Sequence, residues 1–154
     1  RVGRYHNVYG PEGTWDGGRE KAPAAICRKV AEAVLSGRHE IEIWGDGQQT
    51  RSFTYIDDGV DGTRRLAASA IDTPLNIGSS EMVSINGLVD IVSSIAGIEL
   101  ERRYLAAAPQ GVRGRNSDNT EIQEKLGWQP SIGLRSGLER TYAWIHAQVA
   151  AARS

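Results

Sequence analysis

One cysteine, Cys27, in 154 residues leaves no pair for an internal disulfide, and so sparing a use of cysteine fits a reducing compartment. Long apolar runs are missing as well: none approaches the roughly 20 residues that a bilayer-spanning helix needs. The chain shows no signal-peptide pattern and opens on Arg1 rather than Met, so a cytoplasmic location is expected. No charge of one sign dominates. The 18 Lys and Arg face 19 Asp and Glu, for a net charge of -1, which excludes global steering toward nucleic acid and makes any anion binding a local matter. His6, His39 and His146 show no spacing of the kind that builds a metal centre.

What is present is an ordinary globular profile, 40% apolar and 24% charged, at a length that can bury about 70% of its unfolded surface in one domain. Val2 to Val8 reads as a strand running into a loop made permissive by Gly10, Gly13, Gly17 and Gly18. Pro23 suits a first helical turn, and Ala22 to Leu35 carries apolar residues at helical spacing up to Gly37. Ile41 to Trp44 and Arg51 to Tyr55 are strand-like, and the intervening Gly45-Asp46-Gly47 predicts a hairpin. Asp57 is expected to cap a helix through about Ala70, and Ser84 another to Ala96 with Gly97 as its stop. A short strand at Leu75 to Ile77, a strand within Ile98 to Leu105, a polar loop over 106–119, and helices at Thr120 to Leu126 and Leu134 to Ala151 complete the pattern. Alternating helices and short strands imply an α/β fold.

The segment from Arg4 to Pro23 concentrates the chemistry. It joins a strand end, a glycine-rich loop and the charged triplet Arg19-Glu20-Lys21 to a proline-started helix. Together with Arg4-x-x-Asn7-Val-Tyr-Gly-Pro11, the marks Trp44-Gly-Asp-Gly47, Gln49-Thr-Arg-Ser-Phe-Thr-Tyr-Ile-Asp57, Asn76-Ile-Gly-Ser79 and Lys125-Leu-Gly-Trp-x-Pro130 cover nearly the whole chain. In order and spacing they resemble the C-terminal half of the extended short-chain dehydrogenase/reductases that act on nucleotide sugars. Three further stretches, Gly13 to Ala25, Glu81-Met-Val-Ser84 and Gly111 to Asn119, resemble the branch of GDP-mannose 3,5-epimerases. UDP-glucuronate decarboxylase-like enzymes share the Gln-Thr-Arg-Ser-Phe stretch and are the alternative.

The resemblance implies a single substrate-binding domain over residues 1–154, the C-terminal lobe of such an enzyme without most of the N-terminal Rossmann sheet. The chain carries no Gly-x-x-Gly-x-x-Gly after an expected strand, and no tyrosine with a lysine four residues on. NAD is therefore expected in the complete enzyme and not on this chain, which is expected to be inactive without an NAD-binding half. In the family, NAD+ oxidises the hexose C4 hydroxyl, protons are exchanged at C3 and C5, and the hydride is returned. The position matching Lys21 carries one of those protons, a task that requires a lysine to spend time neutral. A plain reading of Lys21 is a solvated charge at a helix start, where the helix dipole disfavours cations.

Asn7 and Glu20 match positions that contact the sugar or diphosphate; an amide can donate and accept at once. Their structural alternatives are a strand-end turn residue and an acid favoured by the helix dipole. Lys29, Arg51 and Arg115 are the expected diphosphate grips, since guanidinium groups bind such oxygens bidentately. Gln49 and Thr50 are expected to contact the nucleotide. Cys27 reads as a small buried hydrophobe, not as the family's catalytic cysteine. Asp57 and Asp58 read as helix caps, and Trp15 stands out because it lies inside the glycine loop. Two other roles stay open: a non-catalytic binder of nucleotide sugars, or a self-associating module whose strand residues Val2, Val8 and Ile77 have lost their apolar cover, which implies a homo-oligomer.

Overall fold

Helix boundaries follow the local chemistry of the chain. The computed structural model describes residues 1–108 and 112–153, so Pro109, Gln110 and the Gly111 that opens the Gly111 to Asn119 stretch lie outside the described residues. Helix α1 (Ala22–Ser36) takes Pro23 in its first turn and ends where Gly37 turns left-handed at φ 68°. Helix α3 (Ile85–Ala96) starts at Ser84, whose hydroxyl accepts the Gly87 amide hydrogen bond, and stops at left-handed Gly97. A cap of that kind is worth about 1 kcal/mol. Helices α2 (Ile56–Ala68), α4 (Thr120–Leu126) and α5 (Leu134–Ala151) fill the other expected places.

The strands depart further from expectation. The stretch from Val2 to Val8 is two strands, β1 (Gly3–Tyr5) and β2 (Val8–Tyr9), because Asn7 between them adopts φ 44°. That single left-handed residue sends the halves to different neighbours: β1 pairs in parallel with β6 (Leu75–Ile77), and β2 with β5 (Thr54–Tyr55). The expected hairpin between Ile41 and Tyr55 does not form. β3 (Glu40–Trp44) pairs in parallel with β8 (Glu101–Leu105). The Gly45-Asp46-Gly47 turn is drawn to α3 instead, since Asn86 donates from its amide nitrogen to the Gly47 carbonyl at 3.0 Å and from Nδ2 to the Asp46 carbonyl at 3.1 Å. The chain then enters a three-stranded ribbon, in which β4 (Thr50–Ser52) lies between antiparallel β7 (Met82–Ser84) and parallel β9 (Gly114–Arg115). The expected loop over 106–119 thus contains a strand.

Apolar faces of α1, α3 and α5 meet in one core with β3 and β5, centred on Cys27, Val30, Leu88, Val92, Leu138 and Ile145. Each such side chain contributes about 1.5–3 kcal/mol by leaving water. A second cluster under α2 holds Leu66, Leu75, Ile77, Ile122 and Trp128. Ile77 is fully buried there, so its expected loss of cover is corrected: α2 and α4 cover it. Val2 is exposed and Val8 half-buried.

Neither Asp57 nor Asp58 caps a helix, because Tyr55 holds the N-cap position of α2 and both acids lie in its first turn. Asp58 faces inward and accepts three hydrogen bonds, from the Ser131 amide (2.9 Å), the Ser131 hydroxyl (2.9 Å) and the Ile132 amide (3.0 Å). It ties the chain before α5 to the base of α2. Asp58→Ala would leave two part-buried amides and a hydroxyl without their acceptor and is expected to cost about 3 kcal/mol. Asp58→Asn, which keeps one acceptor oxygen, should cost roughly half of that. Urea denaturation of the two variants measures the difference, and equal costs would show that the acceptor set is not what matters.

Candidate functional site

The glycine loop between β2 and α1 is held at several points by one side chain, Arg28. Its guanidinium donates to the Trp15 carbonyl at 3.2 Å, to Glu20 Oε1 at 3.0 Å and to Glu32 Oε1 at 3.1 Å, and its Nε lies 3.5 Å from Asp16 Oδ1. The Trp15 side chain packs against the main core, which places it as an anchor of the loop. Glu20 ends up with a side chain only 7% exposed. Burial opposes its ionisation, but its own amide, the Arg28 guanidinium and the Gly18 amide outweigh burial and hold the carboxyl below its ordinary range. Glu20 Oε2 remains buried with no hydrogen-bond partner.

Glu20 also borders a cavity of about 430 Å³ between α1, β3 and the start of α3. Ile26, Ile43, Ile85 and Val89 give it apolar walls, while Glu20 and Gln49 also line it. Gln49 Oε1 is the second buried acceptor here without a partner. Small-molecule sites combine apolar walls with a few fixed polar groups in this manner. Lys29 borders the same cavity but its ammonium donates to the Glu42 carbonyl at 2.7 Å, and Gln49 Nε2 donates to the Trp44 carbonyl at 3.1 Å. The two side chains satisfy alternate carbonyls of β3. Burial first, and then the Arg28 charge, lower the Lys29 pKa against the pull of Glu42.

A second group of expected residues lies on the ribbon. β4 and β9 run parallel with Arg51 opposite Arg115 and Thr50 opposite Gly114. Arg51 donates to the Thr50 carbonyl at 2.6 Å and to the Val112 carbonyl, which spends two of its five N–H donors. Arg115 is exposed and has no side-chain hydrogen bond among the described residues. Its charge reaches His6: burial, then Arg115, and more weakly Arg4 lower the His6 pKa, against a hydrogen bond with Asn76. Asn7 donates from Nδ2 to the Ser52 carbonyl at 3.0 Å, and its own carbonyl accepts from the Thr54 amide. The strand-end role of Asn7 is therefore real, and it joins the loop to the ribbon.

Lys21 stands at the N-cap of α1, exposed and without a side-chain hydrogen bond or ion pair among the described residues. Cys27 is fully buried and its thiol is pushed up to about 12 by that burial, which leaves it inert. The Glu81-Met-Val-Ser84 stretch has two structural tasks: the Glu81 carboxylate accepts the Leu134 amide hydrogen bond at the start of α5, and Ser84 caps α3. Among the described residues no group of three or more His, Cys, Asp and Glu is placed to hold a metal. Among the described residues no helix is long and apolar enough to cross a membrane.

The helix N-termini test whether a dinucleotide could sit on this chain. A pyrophosphate needs free backbone N–H groups at such an end. In α1 the second position is proline. Helix α2 has Asp57 and Asp58 in its first turn, and first-turn amides of α3, α4 and α5 already bond Ser84, Asp118 and Glu81. No helix start among the described residues presents a pyrophosphate of NAD with an open set of amides.

Comparison with known proteins adds sequence and shape. The profile of the NAD dependent epimerase/dehydratase family matches residues 1–78. GDP-mannose 3,5-epimerase 1 of Oryza sativa is 55% identical over 149 residues, which are 97% of this chain and 38% of that protein. The chain thus spans well under half the length of this relative. The UDP-glucose 4-epimerase of Thermotoga maritima with UDP-glucose superposes with a TM-score of 0.86 at 29% identity, over 96% of this chain and 46% of that one. The UDP-glucuronic acid 4-epimerase of Bacillus cereus, in complex with UDP-glucuronic acid and NAD, superposes with a TM-score of 0.80 at 29% identity, over 96% and 45%.

Proposed function

The chain belongs to the NAD dependent epimerase/dehydratase family, and from that premise we propose that it is the substrate-holding unit of a GDP-mannose 3,5-epimerase, inactive as this chain alone. The observation that carries the choice of nucleotide is the 55% identity to the rice GDP-mannose enzyme over 97% of this chain, against 29% to the two UDP-sugar enzymes. The cavity that Glu20 and Gln49 help to line has the apolar walls and few polar groups that suit a nucleobase.

With the base in this cavity, the diphosphate falls to Arg51 and Arg115 and the hexose to Asn7 and Lys21. Lys21 suits the task of carrying a proton to or from a hexose carbon, being exposed and uncommitted. Lys29, once a candidate grip, acts here as a wall of the nucleotide cavity through its bond to β3. NAD, which the family name implies, supplies the redox chemistry of such enzymes and has no place among the residues described above. This chain therefore contributes binding, orientation and one proton carrier.

Calorimetry without NAD tests the proposal. GDP-mannose is expected to bind at least about tenfold more tightly than UDP-glucuronate, the difference that one hydrogen bond in a buried site makes. Equal affinities would remove the guanine assignment, and tighter UDP-glucuronate binding would favour a decarboxylase-like relative. Absence of binding by either would sink the substrate-holding role.

A further inference from the structure

We infer that His6 is an accessory charge of the diphosphate site, standing beside Arg51 and Arg115 as an imidazolium when the anion is bound. The inference rests on the placement of the diphosphate on those two arginines above. His6 lies at the break between β1 and β2, and both of its flanks lead to an arginine. On one side the next residue, Asn7, donates to the Ser52 carbonyl, beside Arg51 in β4. On the other, Gly78 is the spacer between His6 and Ser117, which follows Arg115 closely in the chain. A Cβ on Gly78 would lie 2.9 Å from the His6 Cβ and nearer still to the Ser117 Cβ. That contact is held from both ends: the Ser117 amide donates to the Ser79 carbonyl at 3.2 Å, and Asn119 Nδ2 to the Gly78 carbonyl at 2.8 Å. The segment that carries Arg115 is thus pinned against the half-buried imidazole.

The charges that act on the ring are of one sign. Arg4 stands on β1 opposite Asn76 of β6, and Arg115 comes from β9. Thr54 of β5 brings no charge; its hydroxyl donates to the His6 carbonyl at 3.0 Å. The carboxylate of Asp118 is turned elsewhere, accepting the Thr120 amide at 3.0 Å and the Thr120 hydroxyl at 2.7 Å. Burial, then Arg115, then Arg4 oppose protonation of His6, while the hydrogen bond with Asn76 favours it. Asn76 is itself fixed, because its Nδ2 donates to the Asp118 carbonyl at 2.9 Å. A diphosphate carries negative charge on both phosphates. Bound at Arg115, it offsets the guanidinium charge and leaves the Asn76 bond in place, so the imidazole takes a proton from solvent. The complex then holds more protons than the free chain, and by linkage its affinity rises as the pH falls through the His6 titration.

Calorimetry of GDP-mannose at two pH values tests this. A diphosphate esterified at both ends has no proton to gain or lose between about pH 5.5 and 8, so only groups of the protein respond. The native chain is expected to bind roughly threefold more tightly at about pH 5.5 than at about pH 8, the scale of a screened charge pair near a surface. His6→Gln keeps a hydrogen-bonding side chain that does not titrate, and should bind equally at the two. The imidazole proton NMR signals of the native chain give a second measurement, with His6 identified by elimination through His39→Gln and His146→Gln. The His6 titration midpoint should rise when GDP-mannose is added, and also in ligand-free Arg115→Ala. If His6→Gln does not fold, these midpoints decide the matter. A pH dependence that persists in His6→Gln, or a midpoint that neither GDP-mannose nor Arg115→Ala moves, overturns the role of His6 and leaves the diphosphate assignment standing. A native chain that fails to bind GDP-mannose at either pH overturns both.

Discussion

Replacing Gly137 with alanine is expected to destabilise the chain by about 3 kcal/mol, at the upper end for overpacking a core. A Cβ there would fall far inside contact distance of Tyr9 Oη and would lie 2.8 Å from Tyr55 Cδ2 and 3.0 Å from Tyr9 Cζ. Neither ring can retreat. Tyr9 is 5% exposed, stands edge-on to Phe53 and Tyr55, and donates its hydroxyl to the Leu134 carbonyl at 3.1 Å. Burial above all, and then Glu81, push its phenol far above the ordinary range, so ionisation offers no relief. The helix cannot shift either, because Leu138 next to Gly137 is fully buried. For a chain of this size the loss corresponds to a fall in melting temperature of roughly 10 °C. Adding Tyr9→Phe removes the nearest clashing atom, so the double variant should recover part of the loss even though Tyr9→Phe alone costs about 1 kcal/mol. Additive costs in that cycle would refute the clash as the cause.

What could be read from the sequence was what local chemistry decides. Pro23, Gly37, Ser84 and Gly97 mark helix ends through backbone preferences that need no distant partner. The α/β class followed from the same alternation, and the likeness to extended epimerase structures bears it out. Strand pairing was beyond that kind of reading. The hairpin expected at Gly45 to Gly47 failed because Asn86, some forty residues on, captures the turn. β9 is two residues long and owes its existence to β4, not to a pattern of its own.

The site divides in the same way. The glycine loop and its charged triplet drew notice because glycine and charge are conspicuous in a string of letters, and Glu20 and Gln49 became candidates because they lie in stretches shared with the family. Arg28 did not, since in the run Cys27-Arg28-Lys29 it reads as a solvated residue on an amphipathic helix. Its role arises only when the loop folds back and brings Trp15, Asp16 and Glu20 to it. Lys29 shows what the sequence left out. Its charge suggested a phosphate, and without a ligand its ammonium donates to the Glu42 carbonyl of β3. An unsatisfied strand carbonyl is a demand that sequence patterns do not reveal.

Removing the two ribbon arginines is expected to have the largest effect on binding: Arg51→Ala with Arg115→Ala should weaken GDP-mannose at least about a hundredfold, and each alone about tenfold. Parallel register sets Arg51 opposite Arg115 on neighbouring strands, and like charges so placed repel. The two differ in how they are held. Arg51 is oriented by the Thr50 and Val112 carbonyls, whereas Arg115 has no side-chain hydrogen bond among the described residues. An anion between them would relieve the repulsion and use the donors that Arg51 has left. The asymmetry separates binding from stability. Arg51→Ala gives up two bonds to backbone and should cost about 1–2 kcal/mol in urea denaturation. Arg115→Ala gives up none and should leave the ligand-free chain as stable as before or slightly more so, while losing affinity. Raising the salt concentration should weaken binding to the native chain far more than to the double variant, because screening acts on the charges that have been removed. A double variant that binds GDP-mannose within about threefold of the native chain would mean that the diphosphate lies elsewhere, since even one lost charge-assisted bond exceeds that margin.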